Sequence, residues 1–119
     1  MGLFSYLFKS TTPNSWTKQE YWTKWEFNEL IEDIEEAHHQ ISKINPEGSN
    51  LHLRYFIEGL EQELFEVTHD NAPDFCNIWH WFRPSGEWSQ WMNNSNEALR
   101  ERIYFRSNRW KNEALIDYK

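Results

Sequence analysis

The sequence predicts an all-α protein, one compact bundle of four to five helices in a single domain spanning residues 1–119. Three observations predict it. Apolar residues recur at three- and four-residue spacing through long stretches, the period of a buried helical stripe. Turn formers are sparse and fall between those stretches: Pro13, "NPEGSN" at 45–50, "NAPD" at 71–74 and "RPSGE" at 83–87. A chain of 119 residues also buries about two thirds of the surface its unfolded form exposes, so its core needs no disulfide.

The elements follow in order. Leu3, Phe4, Leu7 and Phe8 make a small amphipathic turn, so residues 1–14 are expected to dock on the bundle as an N-terminal segment. "TKQE" at 17–20 reads as a capping box, with Thr17 and Glu20 satisfying each other's backbone N–H groups. From there Phe27, Leu30, Ile31, Ile34, Ala37, His38, Ile41 and Ile44 line one stripe, which predicts a long helix from about 16 to 44. A second helix, about 50 to 69, buries Leu53, Phe56, Ile57, Leu60, Leu64 and Val67, with Gly59 placed where another backbone can approach. A shorter one starts at Pro73, a favourable first-turn position, carries Phe75, Ile78, Trp79 and Phe82, and stops at Pro84. The last, about 96 to 116, aligns Leu99, Ile103, Arg106, Trp110 and Ala114. Residues 102–106, "RIYFR", also have the alternation of a short strand, but "NEALRE" and "KNEALID" on either side favour helix.

Charge narrows the partners. The net charge is −7, and residues 20–70 hold thirteen acids against Lys24, Lys43 and Arg54. A field of that sign disfavours direct binding of nucleic acid or an acidic membrane and attracts basic proteins. Cys76 is the single cysteine, so no intramolecular disulfide forms and a cytoplasmic setting is expected. "MGLFSYLFKS" lacks the basic leader and cleavage site of a secretory signal, and Tyr6 stands where myristoylation requires Ser or Thr. No stretch is apolar enough to span a membrane.

Catalytic and metal patterns are weighed next. Glu-x-x-His occurs as Glu35/His38, Glu36/His39 and Glu66/His69, a spacing that di-metal bundles use on inward helix faces. Here the wheel turns the pairs toward water, and only His38 lies near a stripe. Cys76 and His80, with His69 upstream, lack the second ligand pair of a zinc site and the orienting third group of a nucleophilic centre. There is no Gly-rich phosphate loop and no nucleophile elbow. The expectation is a protein that is not an enzyme and carries no metal or cofactor.

The aromatic residues carry the functional reading. "NIWHWFRPSGEWSQWM" at 77–92 places four tryptophans within thirteen positions. Trp16, Trp79 and Trp110 align with apolar neighbours and are expected in the core. Trp88 and Trp91 flank a turn, either packing the loop or meeting a partner. On a continuous first helix, Trp25, Glu29, Glu32 and Glu36 form one row opposite the apolar stripe, with Trp22 near it. On the second, Phe65 falls roughly 130° from the stripe centre, between Glu58 and Glu61, and Tyr55 is also off the stripe. Bulky rings framed by carboxylates make a partner-binding surface, in which rings fill pockets and charges steer a basic protein. The predicted contact residues are therefore Trp22, Trp25, Glu29, Glu32, Glu36, Tyr55, Glu58, Glu61, Phe65, Trp88 and Trp91.

In size, acidity and aromatic content the chain resembles bacterial immunity proteins, which neutralise contact-dependent inhibition toxins or nuclease colicins. The row from Trp25 to Glu36 is the stretch most like an inhibitor face. Immunity proteins share no universal motif, so the resemblance transfers no site residue by residue. It implies one-to-one binding of a cognate toxin domain with a basic surface, covering its active site or substrate cleft. Two other readings share the same residues: a phage-type acidic mimic of DNA that blocks a defence nuclease, and a small-ligand module in which Trp81, Trp88 and Trp91 stack a sugar or nucleobase. A homodimer that hides the rings is a further possibility.

Overall fold

The first long apolar stretch forms two helices and not one. In the computed structural model, which describes residues 18–44 and 47–114, it divides into α1 (Lys18–Lys24) and α2 (Phe27–Ser42). Glu26 sits between them at φ 57°, in the left-handed region. Its N–H donates to the Thr23 carbonyl and its own carbonyl opens α2 by accepting from Leu30. A non-glycine residue pays about 1–2 kcal/mol for that conformation. The break offsets this cost by turning Tyr21 and Trp22 edge-on against Phe27, at ring separations of 5.5 and 5.8 Å. The docking segment at 1–14, Trp16 and Thr17 lie outside the described residues.

The other predicted helices are present with shifted ends. α3 (Leu51–His69) is capped by Asn50, whose side chain accepts from the Leu53 N–H at 3.1 Å. α4 (Cys76–Phe82) begins later than Pro73, because the Asp74 carboxylate takes the Cys76 N–H at 2.8 Å. A short α5 (Glu87–Met92) occupies what the sequence reads as loop. α6 (Glu97–Arg109) runs on into a wider π-helical turn at Trp110–Ala114, so residues 102–106 are helical. Six α-helices are thus present among the described residues, where four to five were expected.

Cross-links between helices set the topology. His38 Nε2 lies 2.9 Å from Glu61 Oε2, while the Trp22 N–H reaches the Asn71 carbonyl near the other end of α3. As numbers rise through α1 and α2, the partners on and just past α3 fall, so α2 and α3 are antiparallel. The same holds for α3 with α4, through Asn77 to Glu63 and Phe56 against Trp81. It holds for α4 with α6, through Trp79 to Asn108 and Arg100 to the Phe82 carbonyl. It holds again for α6 with α2, through Arg106 to Glu26, Arg102 and Arg106 to Asp33, and Asn96 to Gln40. Four principal helices therefore alternate up and down around one core. α1 packs at one end, where Phe27, Phe75 and Trp110 meet, and α5 at the other, where Trp88 stacks on Phe82 at 5.1 Å. Leu30, Ile34, Leu60, Ile78, Leu99 and Ile103 fill the core between them.

Departures from the predicted stripes are polar or terminal except at Trp79, expected in the core but half-buried at the surface of α4 and α6, where its N–H donates to Asn108 at 2.9 Å and Lys111 lies over its ring. His38 and Arg106 are half-buried cross-links, and Ile44, just past α2, is exposed. Gly59 faces the Trp81 indole and not another backbone: a Cβ added there would lie 3.5 Å from that ring, ordinary contact. Gly86 has no such room. A Cβ there would meet the carbonyl oxygens of Trp81 and Arg83 at 2.8 and 2.9 Å. Gly86→Ala is therefore expected to lower unfolding free energy by about 1–3 kcal/mol, read as a lower urea midpoint at unchanged slope. No described helix is long and apolar enough to cross a membrane.

Candidate functional site

The predicted contact residues separate into three places. Trp22, Trp25 and Trp88 are buried and are corrected to core residues: Trp25 is 3% exposed and Trp88 0%. For Trp22 and Trp25 the reason is the left-handed Glu26. A helical wheel drawn through it loses its phase, and the upstream rings swing from the acidic row onto the end of the bundle. Trp88 is buried because the short α5 folds its ring onto Phe82.

Trp91 belongs to a second place. It is half-buried and its N–H donates to Glu87 at 3.2 Å. With Trp81, His80, Arg83 and Gln90 it lines a cleft of about 250 Å³ between the end of α4 and α5.

The remaining seven lie on α2 and α3. Glu29, Glu32 and Glu36 are exposed on α2, and Tyr55, Glu58, Glu61 and Phe65 on α3. Tyr55 and Phe65 are each 61% exposed, and neither ring is held in the core. The His38–Glu61 bond joins the two helices in the middle of this face. Near the start of α3, Ile57, Arg54, Glu47, Glu58 and Glu61 border a hollow of about 380 Å³. Together α2 and α3 contain nine carboxylates against Arg54 alone among Lys and Arg. Arg54 is itself paired with Glu58 at 3.2 Å.

Two exposed apolar residues lie outside the predicted set. Leu51, 52% exposed, begins α3 on the side of Tyr55. His69 closes that side, its ring 4.4 Å from the Phe65 ring and its Nδ1 donating to the Phe65 carbonyl. The signal was available: Leu51, Tyr55, Glu58, Gln62, Phe65 and His69 alternate at four- and three-residue spacing, opposite the buried stripe. The second, Phe105, is 76% exposed on α6 between Arg102 and Arg109.

The groups weighed for catalysis are placed as follows. Glu35, Glu36, His39, Glu66 and His69 are exposed, and among the described residues no three metal-ligating side chains converge. Burial pushes the Cys76 thiol up to about 11, with the neighbouring Asp74 carboxylate acting in the same direction. That leaves little thiolate at neutral pH, the opposite of an activated nucleophile. Burial also raises Glu63, although Asn77 donates to it at 2.9 Å and opposes the shift. What this face offers chemically is binding: fixed negative charge around large rings. No protein-family model matches the chain, and comparison with curated proteins and with solved structures finds no match.

Proposed function

We propose that the chain is an immunity-type binding protein, not an enzyme, which acts in the cytoplasm by covering the active site or substrate cleft of a basic toxin domain. The observation that carries this reading is the exposure of Tyr55 and Phe65 on a helix pair that carries seven exposed carboxylates, Glu29, Glu32, Glu35, Glu36, Glu58, Glu61 and Glu66. Rings left in water cost free energy that a partner recovers on covering them. Carboxylates around them speed encounter with a cationic groove, whereas the rings slow release. Trp22, Trp25 and Trp88 have no part in this surface.

The test takes the basic protein that copurifies with this chain from its native host, coexpresses the pair and measures them by surface binding kinetics. Glu32→Lys with Glu36→Lys is expected to slow association at least tenfold and flatten its salt dependence. Tyr55→Ala with Phe65→Ala is expected to speed dissociation at least tenfold and to abolish protection of the cell. Glu113→Ala, in the π-helical turn that follows α6, should change neither rate. If all three variants lose binding equally, or the wild-type chain gives no protection, this reading fails.

The Trp81/Trp91 cleft favours a second reading, a small-ligand module. Saturable quenching of tryptophan fluorescence by a sugar or nucleoside, removed by Trp91→Ala, would favour it over the first. A phage-type mimic of DNA would instead bind several DNA-reading proteins through the same acidic face.

A further inference from the structure

The exposed side of α3 has a shape as well as a charge. Leu51, Tyr55, Glu58, Gln62, Phe65 and His69 alternate at four and three residues, the spacing that keeps one seam facing a neighbouring helix. The seam covers the whole helix, about 27 Å at 1.5 Å per residue. It is symmetric about Leu60: Leu51 mirrors His69, Tyr55 mirrors Phe65 and Glu58 mirrors Gln62. Its two ends are therefore apolar or aromatic and its middle is polar. Gln62 is held by its own bond to Glu66 at 2.9 Å, so the middle presents carboxylates flanked by amide.

From this we infer that the partner docks as a basic amphipathic helix laid along α3, with apolar side chains at the two ring layers and a Lys or Arg at the middle layer. The inference rests on the reading of this face as the site for a basic protein, and adds the form of the docking element. Charge selects against a second copy of this chain as the occupant. Antiparallel pairing of two α3 seams would set Glu61 near its own mate and bring two acidic hairpins together. A cationic side chain at the middle layer instead meets Glu58, whose exposed pairing with Arg54 is weak enough to exchange.

Nuclear magnetic resonance titration of the full chain with 20-residue synthetic peptides tests this. One peptide carries Leu at four-three spacing, Lys at the central seam position and Lys on its flanks. A second has the same composition scrambled, a third is oligolysine, and a fourth has Leu in place of the central Lys. The seam peptide is expected to bind at least tenfold tighter than the scrambled one and severalfold tighter than the central-Leu one. Its shifts should concentrate on amides 51–69. Phe65→Ser or Tyr55→Ser, both surface changes whose folding circular dichroism confirms, should weaken it at least tenfold and leave the scrambled peptide unaffected. Equal binding of seam, scrambled and oligolysine peptides would overturn the helix inference and leave the basic-partner reading intact. Absence of binding by every basic peptide would overturn both. Concentration-dependent dimerisation abolished by Phe65→Ser would assign the seam to a second copy and also overturn it.

Discussion

Trp25→Ala is expected to lower unfolding free energy by about 3–5 kcal/mol, the range for emptying the site of a buried large aromatic. The ring is 3% exposed at the end of the bundle. It lies under two cations, with Arg109 Cζ 5.2 Å and Lys24 Nζ 5.3 Å from its centroid. Arg109 also donates to the Lys24 carbonyl, so the indole, α1 and the end of α6 form one contact. Alanine would remove the packing and about 0.5–1 kcal/mol of cation–π attraction. Trp25→Phe provides the comparison. The indole N–H is buried with no hydrogen-bond partner, so phenylalanine loses no bond and is expected to cost only about 1–2 kcal/mol through reduced volume. Urea unfolding of the three proteins measures both steps. If Trp25→Ala leaves the midpoint unchanged, the ring is not in the core and the acidic row regains its aromatic head.

The bundle was legible because each principal helix keeps an unbroken three-four stripe: on α3 every residue predicted inward is buried or half-buried, and Tyr55 and Phe65 are outward as expected. The break at Glu26 was hidden, because apolar residues continue at helical spacing on both sides and neither glycine nor proline marks the turn. Only the tertiary gain from packing α1 across Phe27, with Arg106 taking the Glu26 carboxylate at 2.9 Å, makes the left-handed residue favourable. Such a gain is a long-range property that no local pattern encodes. α5 was missed for another reason: six residues are too few to display a period, so Trp88 looked like a loop residue. Charge was read correctly in sum but not in placement. Asp33 faces α6 and accepts from both Arg102 and Arg106, so this acid fastens two helices and adds nothing to the open face.

Arg100→Met is expected to cost about 2–4 kcal/mol, although a stripe drawn on α6 gives the residue no special place. Its side chain is buried, with Nε donating to Glu97 at 2.9 Å and Nη1 to the Phe82 carbonyl at 2.9 Å. Phe82 is the last residue of α4, whose final carbonyls have no partners further along that helix. The guanidinium thus closes the end of α4 from the neighbouring α6 and places positive charge at the negative end of its dipole. Methionine retains much of the apolar volume but leaves that carbonyl and one Glu97 carboxylate oxygen unmet, the other keeping the Ser89 hydroxyl, and a buried charge pair tolerates poorly the removal of one member. Partial exposure of Glu97 keeps the figure below the full buried-pair range. Arg100→Lys should recover part of the loss, because an ammonium cannot present the forked donors that reach both acceptors at once. Residual stability measured in urea should therefore rank wild type above Lys above Met. Hydrogen exchange should locate the damage in α4 and α5, where the carbonyl of Phe82 and the Trp88 ring beneath it depend on this one side chain. Equal stability of the Met variant and wild type would mean that water replaces the guanidinium at the end of α4. In that case the junction of α4, α5 and α6 would rest on ring packing alone.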